Sequence, residues 1–150
     1  MVTQPDFREW LECLNARGAE YVVVGAHALA FHGVVRYTGD LDVLVRATPE
    51  NARTVISALA DFGFGSLELR EEDFADPDRV VQLGFPPVRI DLITSLSGVP
   101  WEQAWEGRVA GDYGGVPVCF LGRDELVRNK QASGRLKDLA DLEALGELVE

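Results

Sequence analysis

Residues 40–45 read Asp-Leu-Asp-Val-Leu-Val, two aspartates two residues apart at the head of a run that becomes wholly apolar. Such a run predicts a strand that leaves an exposed end for a buried core. Alternate residues of a strand share a face, so Asp40 and Asp42 leave the backbone side by side. Aspartate is a poor strand former and neighbouring carboxylates repel. The pair is therefore expected at a rim of the sheet, where a cation can reach it.

A third acid stands in a similar setting. Asp91, in Arg89-Ile90-Asp91-Leu92-Ile93, interrupts a second apolar run. If the two strands are neighbours, three carboxylates converge on one face, as a two-metal site for in-line phosphoryl transfer requires. Each acid also has a plainer reading. Asp40 could cap a turn after Gly39, Asp42 could face water on a half-exposed strand, and Asp91 could pair with Arg89 or Arg36.

Around these residues the chain alternates helix and strand. Phe7, Trp10, Leu11 and Leu14 recur at helical spacing after Pro5, and Gly18 closes that helix. Residues 21–24 are a β-branched strand broken by Gly25, after which residues 26–31 return to helix formers. Thr48 is an N-cap with Pro49 at the first helical position, and Ala52, Val55, Ile56, Leu59 and Ala60 share one face up to Gly63. Residues 64–78 predict a strand around Leu67 and Leu69 and an exposed loop. Residues 80–85 and 88–93 predict a hairpin joined at Gly84 and Pro86-Pro87, with Pro87 limiting the pairing. Trp101 and Trp105 fall on a short helix. Residues 108–112 and 116–121 flank Tyr113-Gly114-Gly115, a second hairpin signal. Helices over about 123–132 and 136–149 finish the chain, the latter with Leu139, Leu142, Leu145 and Leu148 spaced by three. The order predicts an α+β (mixed α/β) fold: one twisted sheet with flanking helices and two C-terminal helices. No linker or repeat divides residues 1–150, which are expected to form one domain.

Charge narrows the partners. Lys and Arg number 14 against 25 Asp and Glu, a formal net charge of −11. That balance speaks against a binder of long double-stranded DNA and against an anionic membrane surface. The most apolar stretch, residues 21–31, contains His27 and is too short to span a bilayer. No basic start or apolar h-region opens the sequence, so a cytoplasmic location is expected. Cys13 and Cys119 lie far apart, without the CxxC spacing of a thiolate zinc site, and read as small buried hydrophobes. His27 and His32 are five apart, off the spacing of a helical zinc pair. Neither GxGxxG nor GxxxxGK[ST] is present, yet a glycine between a strand and a helix still turns backbone N–H groups toward a ligand.

Val24-Gly25-Ala26, Asp40-Leu41-Asp42-Val43 and Ile90-Asp91-Leu92 together resemble the polymerase-beta-type nucleotidyltransferase superfamily. Its pattern is a hydrophobic residue, Gly, then Gly or Ser; a pair of acids separated by one hydrophobic residue; and a later third acid between hydrophobic residues. The tail from Asn129 to Leu142, with Lys130 and then Gly134-Arg135-Leu136-Lys137-Asp138-Leu139, is similar to the ending of a small bacterial branch. That branch includes the abortive-infection nucleotidyltransferase toxins and their minimal relatives. The likeness runs from about residue 20 to residue 145.

The resemblance implies a nucleotidyltransferase fold and a site assembled from these positions. Asp40 and Asp42 would hold divalent metals, two Mg²⁺ ions, and Asp91 would bind the catalytic one and help deprotonate the attacking hydroxyl. Gly25 and Ala26 would hold the triphosphate of an NTP through backbone N–H groups. Lys130, Arg135 and Asp138 match positions near the nucleotide. Residues 123–137 carry five basic side chains against two acidic ones, a local reversal of the overall charge. The plainer reading of that segment is a solvated helix face with Arg123 and Arg128 outward. Where the family has Gly or Ser after the turn glycine, this chain has Ala26 followed by His27, which could replace the lost hydroxyl contact. The implied reaction is transfer of a nucleoside monophosphate from an NTP to an acceptor: an RNA end such as that of tRNA, a protein or a small molecule. A toxin–antitoxin or phage-defence setting follows from the branch, with a homo-oligomer or a cognate partner protein as further implications. Two rivals stand beside this: an inactive binding or regulatory protein of the same fold, and a metal-dependent phosphohydrolase.

Overall fold

The computed structural model describes residues 3–36, 38–85 and 87–147. Pro86 and Leu148, which enter the expected hairpin and final helix, lie outside the described residues.

Helix α1 (Pro5–Arg17) starts on a proline whose missing N–H would have no intrahelical partner anyway. It ends at Gly18, φ +71°, where the Gly18 and Ala19 N–H groups donate to the carbonyls of Asn15 and Leu14. Its buried stripe is Phe7, Trp10, Leu11 and Leu14, as the spacing predicts. Strand β1 (Tyr21–Val24) is buried throughout and runs directly into α2 (Gly25–Phe31). Strand β2 (Asp40–Val45) follows, then α3 (Pro49–Leu59), whose Thr48 hydroxyl accepts the Asn51 N–H at 3.3 Å.

The segment after α3 departs from expectation. No strand forms between residues 64 and 79. A π-helical turn (Ala60–Phe64) follows α3 and is broken at Gly63, φ +107°, as expected, and a single helical turn, α4 (Glu72–Ala75), comes after it. The burial here comes mainly from aromatic side chains; Leu69 is half-buried against the core and Leu67 is exposed. Phe74 is fully buried, and Phe62 packs on Trp10 with ring centroids 5.5 Å apart.

Strands β3 (Val80–Phe85) and β4 (Val88–Ile93) form the expected antiparallel hairpin, and Phe85 still pairs with Val88 beside Pro87. Helix α5 (Trp101–Gly107) carries the stacked pair Trp101 and Trp105. The second hairpin is β5 (Val109–Tyr113) and β6 (Val116–Phe120). Helices α6 (Arg123–Ser133) and α7 (Leu136–Ala144) close the described chain, α7 ending well short of residue 149.

The six strands make one mixed sheet in the order β3-β4-β2-β1-β6-β5. β1 pairs antiparallel with β2 and parallel with β6, while β2 pairs parallel with β4. β1 and β2 therefore occupy the two central positions, and their valines and leucines form the middle of the core. Cys13 and Cys119 are half-buried free thiols. Among the described residues no helix is long and apolar enough to cross a membrane.

Candidate active site

Strand register decides where the acids meet. β2 and β4 are neighbours, with Asp42 opposite Asp91 and Asp40 opposite Arg89. Partners across a pair share a face, as do residues two apart, so Asp40, Asp42, Arg89 and Asp91 form a four-membered patch on one face of the sheet. Two strands remote in sequence thus bring the three acids together.

Gly25 closes the patch from the β1 side. Its φ is +67°, and a Cβ built on it would lie 2.1 Å from Asp42 Oδ2. Only glycine allows both the turn and that approach.

Electrostatics divide the three carboxylates. Arg89 Nη2 donates to Asp40 Oδ2 at 2.9 Å and to Asp91 Oδ2 at 3.1 Å, while its Nε donates to Asp91 Oδ1 at 3.0 Å. For Asp91 the pairing with Arg89 is thus realised, on the same face as the other acids. Asp42 has no hydrogen bond or ion pair among the described residues. Burial, then the charges of Asp91 and Asp40, push its carboxyl up to about 6 against the pull of Lys137 and Arg89. As they stand, two of the three carboxylates, Asp40 and Asp91, are arranged around a guanidinium. Among the described residues no three His, Cys, Asp or Glu side chains close on a single ion position.

The donor set nevertheless fits a hard divalent ion. All three side chains offer only oxygen, they repel one another on one face, and a cation is already lodged between two of them. The three acids form the floor of a cleft of about 640 Å³, with Gly25 and Ala26 on one wall and Lys130, Arg135 and Lys137 on another.

The basic wall is less free than the sequence suggests. Lys130 is 5% exposed, and its Nζ sits 3.2 Å from Asp138 Oδ1 and 3.0 Å from Asp141 Oδ2. Arg135 Nε lies 2.8 Å from Asp138 Oδ2, and Arg36 pairs with Asp141 at 3.2 Å. Asp138 is fully buried beneath these cations, outside the cleft lining, and also receives the Arg135 backbone N–H at the start of α7. Burial alone would raise its carboxyl; the bonds from Arg135 and Lys130 outweigh that and hold it below the usual range. Lys130 thus locks α6 to α7 through Asp138 and Asp141, while Arg135 caps the start of α7 on Asp138. Lys137, which the sequence did not single out, lines the cleft, is exposed and makes no ion pair among the described residues. Its place between the cleft-facing Arg135 and the helix-locking Asp138 was the available signal.

His27 sits elsewhere. It lines an adjoining, mostly apolar cavity of about 480 Å³ rather than the acidic cleft, between the rings of Phe7 and Tyr113. Its Nε2 is buried without a hydrogen-bond partner, and burial lowers its basicity, with Asp40 pulling the other way. His32 Nε2 meets the Leu121 carbonyl at 2.7 Å, a structural contact.

The same architecture occurs in a solved structure. A candidate nucleotidyltransferase from Thermotoga maritima (TM1012) superposes with a TM-score of 0.60 at 16% identity, covering 97% of this chain and 93% of that one. The chain has a nucleotidyltransferase fold. Sequence comparison adds nothing to that: no protein-family profile and no curated protein matches. Within the nucleotidyltransferase fold the paired β2 and β4 acids lie at one rim, beside the glycine turn.

Proposed function

We propose that this chain is a metal-dependent nucleotidyltransferase. The observation that carries the reading is the register of Asp42 with Asp91 across β2 and β4, which gathers three acids beside Gly25. Asp40, Asp42 and Asp91 would hold Mg²⁺, which when bound supplies Lewis-acid polarisation of the α-phosphate and charge neutralisation. The acceptor oxygen forms a bond to the α-phosphorus, the bond to the β-phosphate oxygen breaks, and pyrophosphate leaves with its electron pair. Asp91 is assigned to receive the acceptor proton. Lys137 is placed to meet phosphate charge from the opposite wall, and the turn at Gly25 and Ala26 leaves room for the polyphosphate. The resemblance of the tail extends the proposal to a toxin–antitoxin or phage-defence role, with an RNA end or a protein as acceptor.

Arg89 favours one second reading, a binding protein that keeps the fold without turnover, because its guanidinium already satisfies two of the acids. One experiment separates the two. The protein is incubated with each α-labelled NTP, Mg²⁺ and cell extract, with Asp42→Asn as control. Transfer predicts a labelled macromolecule and released pyrophosphate that the control lacks. Released phosphate in place of pyrophosphate indicates a phosphohydrolase, and absence of label from all four nucleotides overturns the proposal.

A further inference from the structure

Arg89 occupies a position that the proposed reaction needs for something else. Its three hydrogen bonds, 2.9 to 3.1 Å long, tie Asp40 on β2 to Asp91 on β4. A guanidinium matches a pair of carboxylates better than any other side chain, since its donors are fixed in a planar fork. Asp40 and Asp91 each meet this one guanidinium, so an ion placed between them contends with it. On its other flank Arg89 faces Gly84 of β3, which has no side chain to cover it, and 29% of the Arg89 side chain is exposed.

We infer that Arg89 is an internal counter-cation that holds the divalent-ion position between Asp40 and Asp91 and withdraws when the ion binds. This rests on the metal-dependent reading above. Arg89 is a positioning residue: it keeps two repelling carboxylates together in the metal-free protein and sets how tightly the ion is held. An incoming ion must break three charge-assisted hydrogen bonds and meets a like charge within the same patch. The metal-free site then has low ion affinity, and nucleotide phosphates that bring their own ion carry it in.

The test measures Mn²⁺ binding by the full chain without nucleotide, from the free-ion paramagnetic resonance signal. Arg89→Gln is expected to bind Mn²⁺ at least about tenfold more tightly than the wild type. Its chelator-treated form should melt lower than the wild type, and its gain in melting temperature on adding Mn²⁺ should be larger. Arg89→Lys, which keeps the charge and loses the fork, should fall between. In the wild type, the Arg89 Nε–H resonance should shift when Mg²⁺ saturates the site, a readout independent of any variant. Equal or weaker Mn²⁺ binding by Arg89→Gln, or an unshifted resonance at saturation, overturns the role of Arg89 and leaves the metal-dependent reading standing. Absence of binding by wild type and both variants, both without nucleotide and with a non-hydrolysable NTP present, overturns the two together.

Discussion

Gly25 and Asp42 approach so closely that a methyl group on the glycine would lie 2.1 Å from the Asp42 Oδ2. The turn at the end of β1 and the acid on β2 are one unit. Gly25→Ala forces an L side chain to φ +67° and pushes on the carboxylate. The expected cost is about 2–4 kcal/mol in urea denaturation, combining backbone and overpacking penalties. In an Asp42→Ala background the packing part should vanish and about 1 kcal/mol should remain.

Asp42 makes stability depend on pH in an unusual direction. Its folded carboxyl titrates at about 6, above its ordinary 3.8, so the native state binds more protons than the unfolded one between those values. Stability is therefore fullest below about pH 4, falls as pH rises to about 6, and is flat beyond with respect to this group. Asp42→Asn removes the ionisation and should stabilise the chain by up to about 3 kcal/mol at pH 8 and by little at pH 4. Thermal melts of both proteins across pH 4–8, without divalent metal, check this. Saturating Mg²⁺ should shrink the difference.

Lys130 and Lys137 stand on the same cleft wall and are expected to fail differently. Lys130→Met leaves Asp138 and Asp141 buried without their shared cation and should cost about 3–5 kcal/mol. Lys137→Met removes an exposed side chain with no ion pair, so the melting curve should stay within about 0.5 kcal/mol. NTP affinity by calorimetry should nonetheless drop several-fold in Lys137→Met. An unchanged affinity there removes Lys137 from the phosphate-binding wall.

His27→Phe tests the turn from the other side. The imidazole Nε2 is buried without a partner between Phe7 and Tyr113, so a phenyl ring should be neutral or stabilising. NTP binding should be unaffected, because His27 faces the apolar cavity. A clear loss of nucleotide affinity would return His27 to the phosphate contact that the sequence suggested.

The sequence was most legible where local chemistry and burial agree. Thr48-Pro49, Gly18 and both hairpins stand where capping and turn residues put them, and the alternation in Asp40–Val45 set the acids on one face. It misled where a pattern was too short to specify anything. Leu67 and Leu69 alternate like a strand, yet Phe74, in the acidic stretch beside them, carries the burial. The basic tail misled for a different reason. Lys130 looks free in one dimension because Asp138 and Asp141, which take up its charge, belong to the next helix, whereas Arg135 pairs with Asp138 three residues on at the start of that same helix. Ion pairing across a helical turn-back cannot be counted from net charge. Arg89 was visible only as one partner for Asp91; that it also reaches Asp40 depends on the β2–β4 register.

The sheet order places β2 beside β4 although α3, the π-helical turn, α4 and β3 intervene along the chain. That excursion leaves from the end of β2 remote from Asp40 and contributes no strand between the two acid-bearing ones. Its exposed bend over residues 65–68 is accordingly where extra sequence, even a grafted module, can be accommodated with the arrangement of the three acids undisturbed.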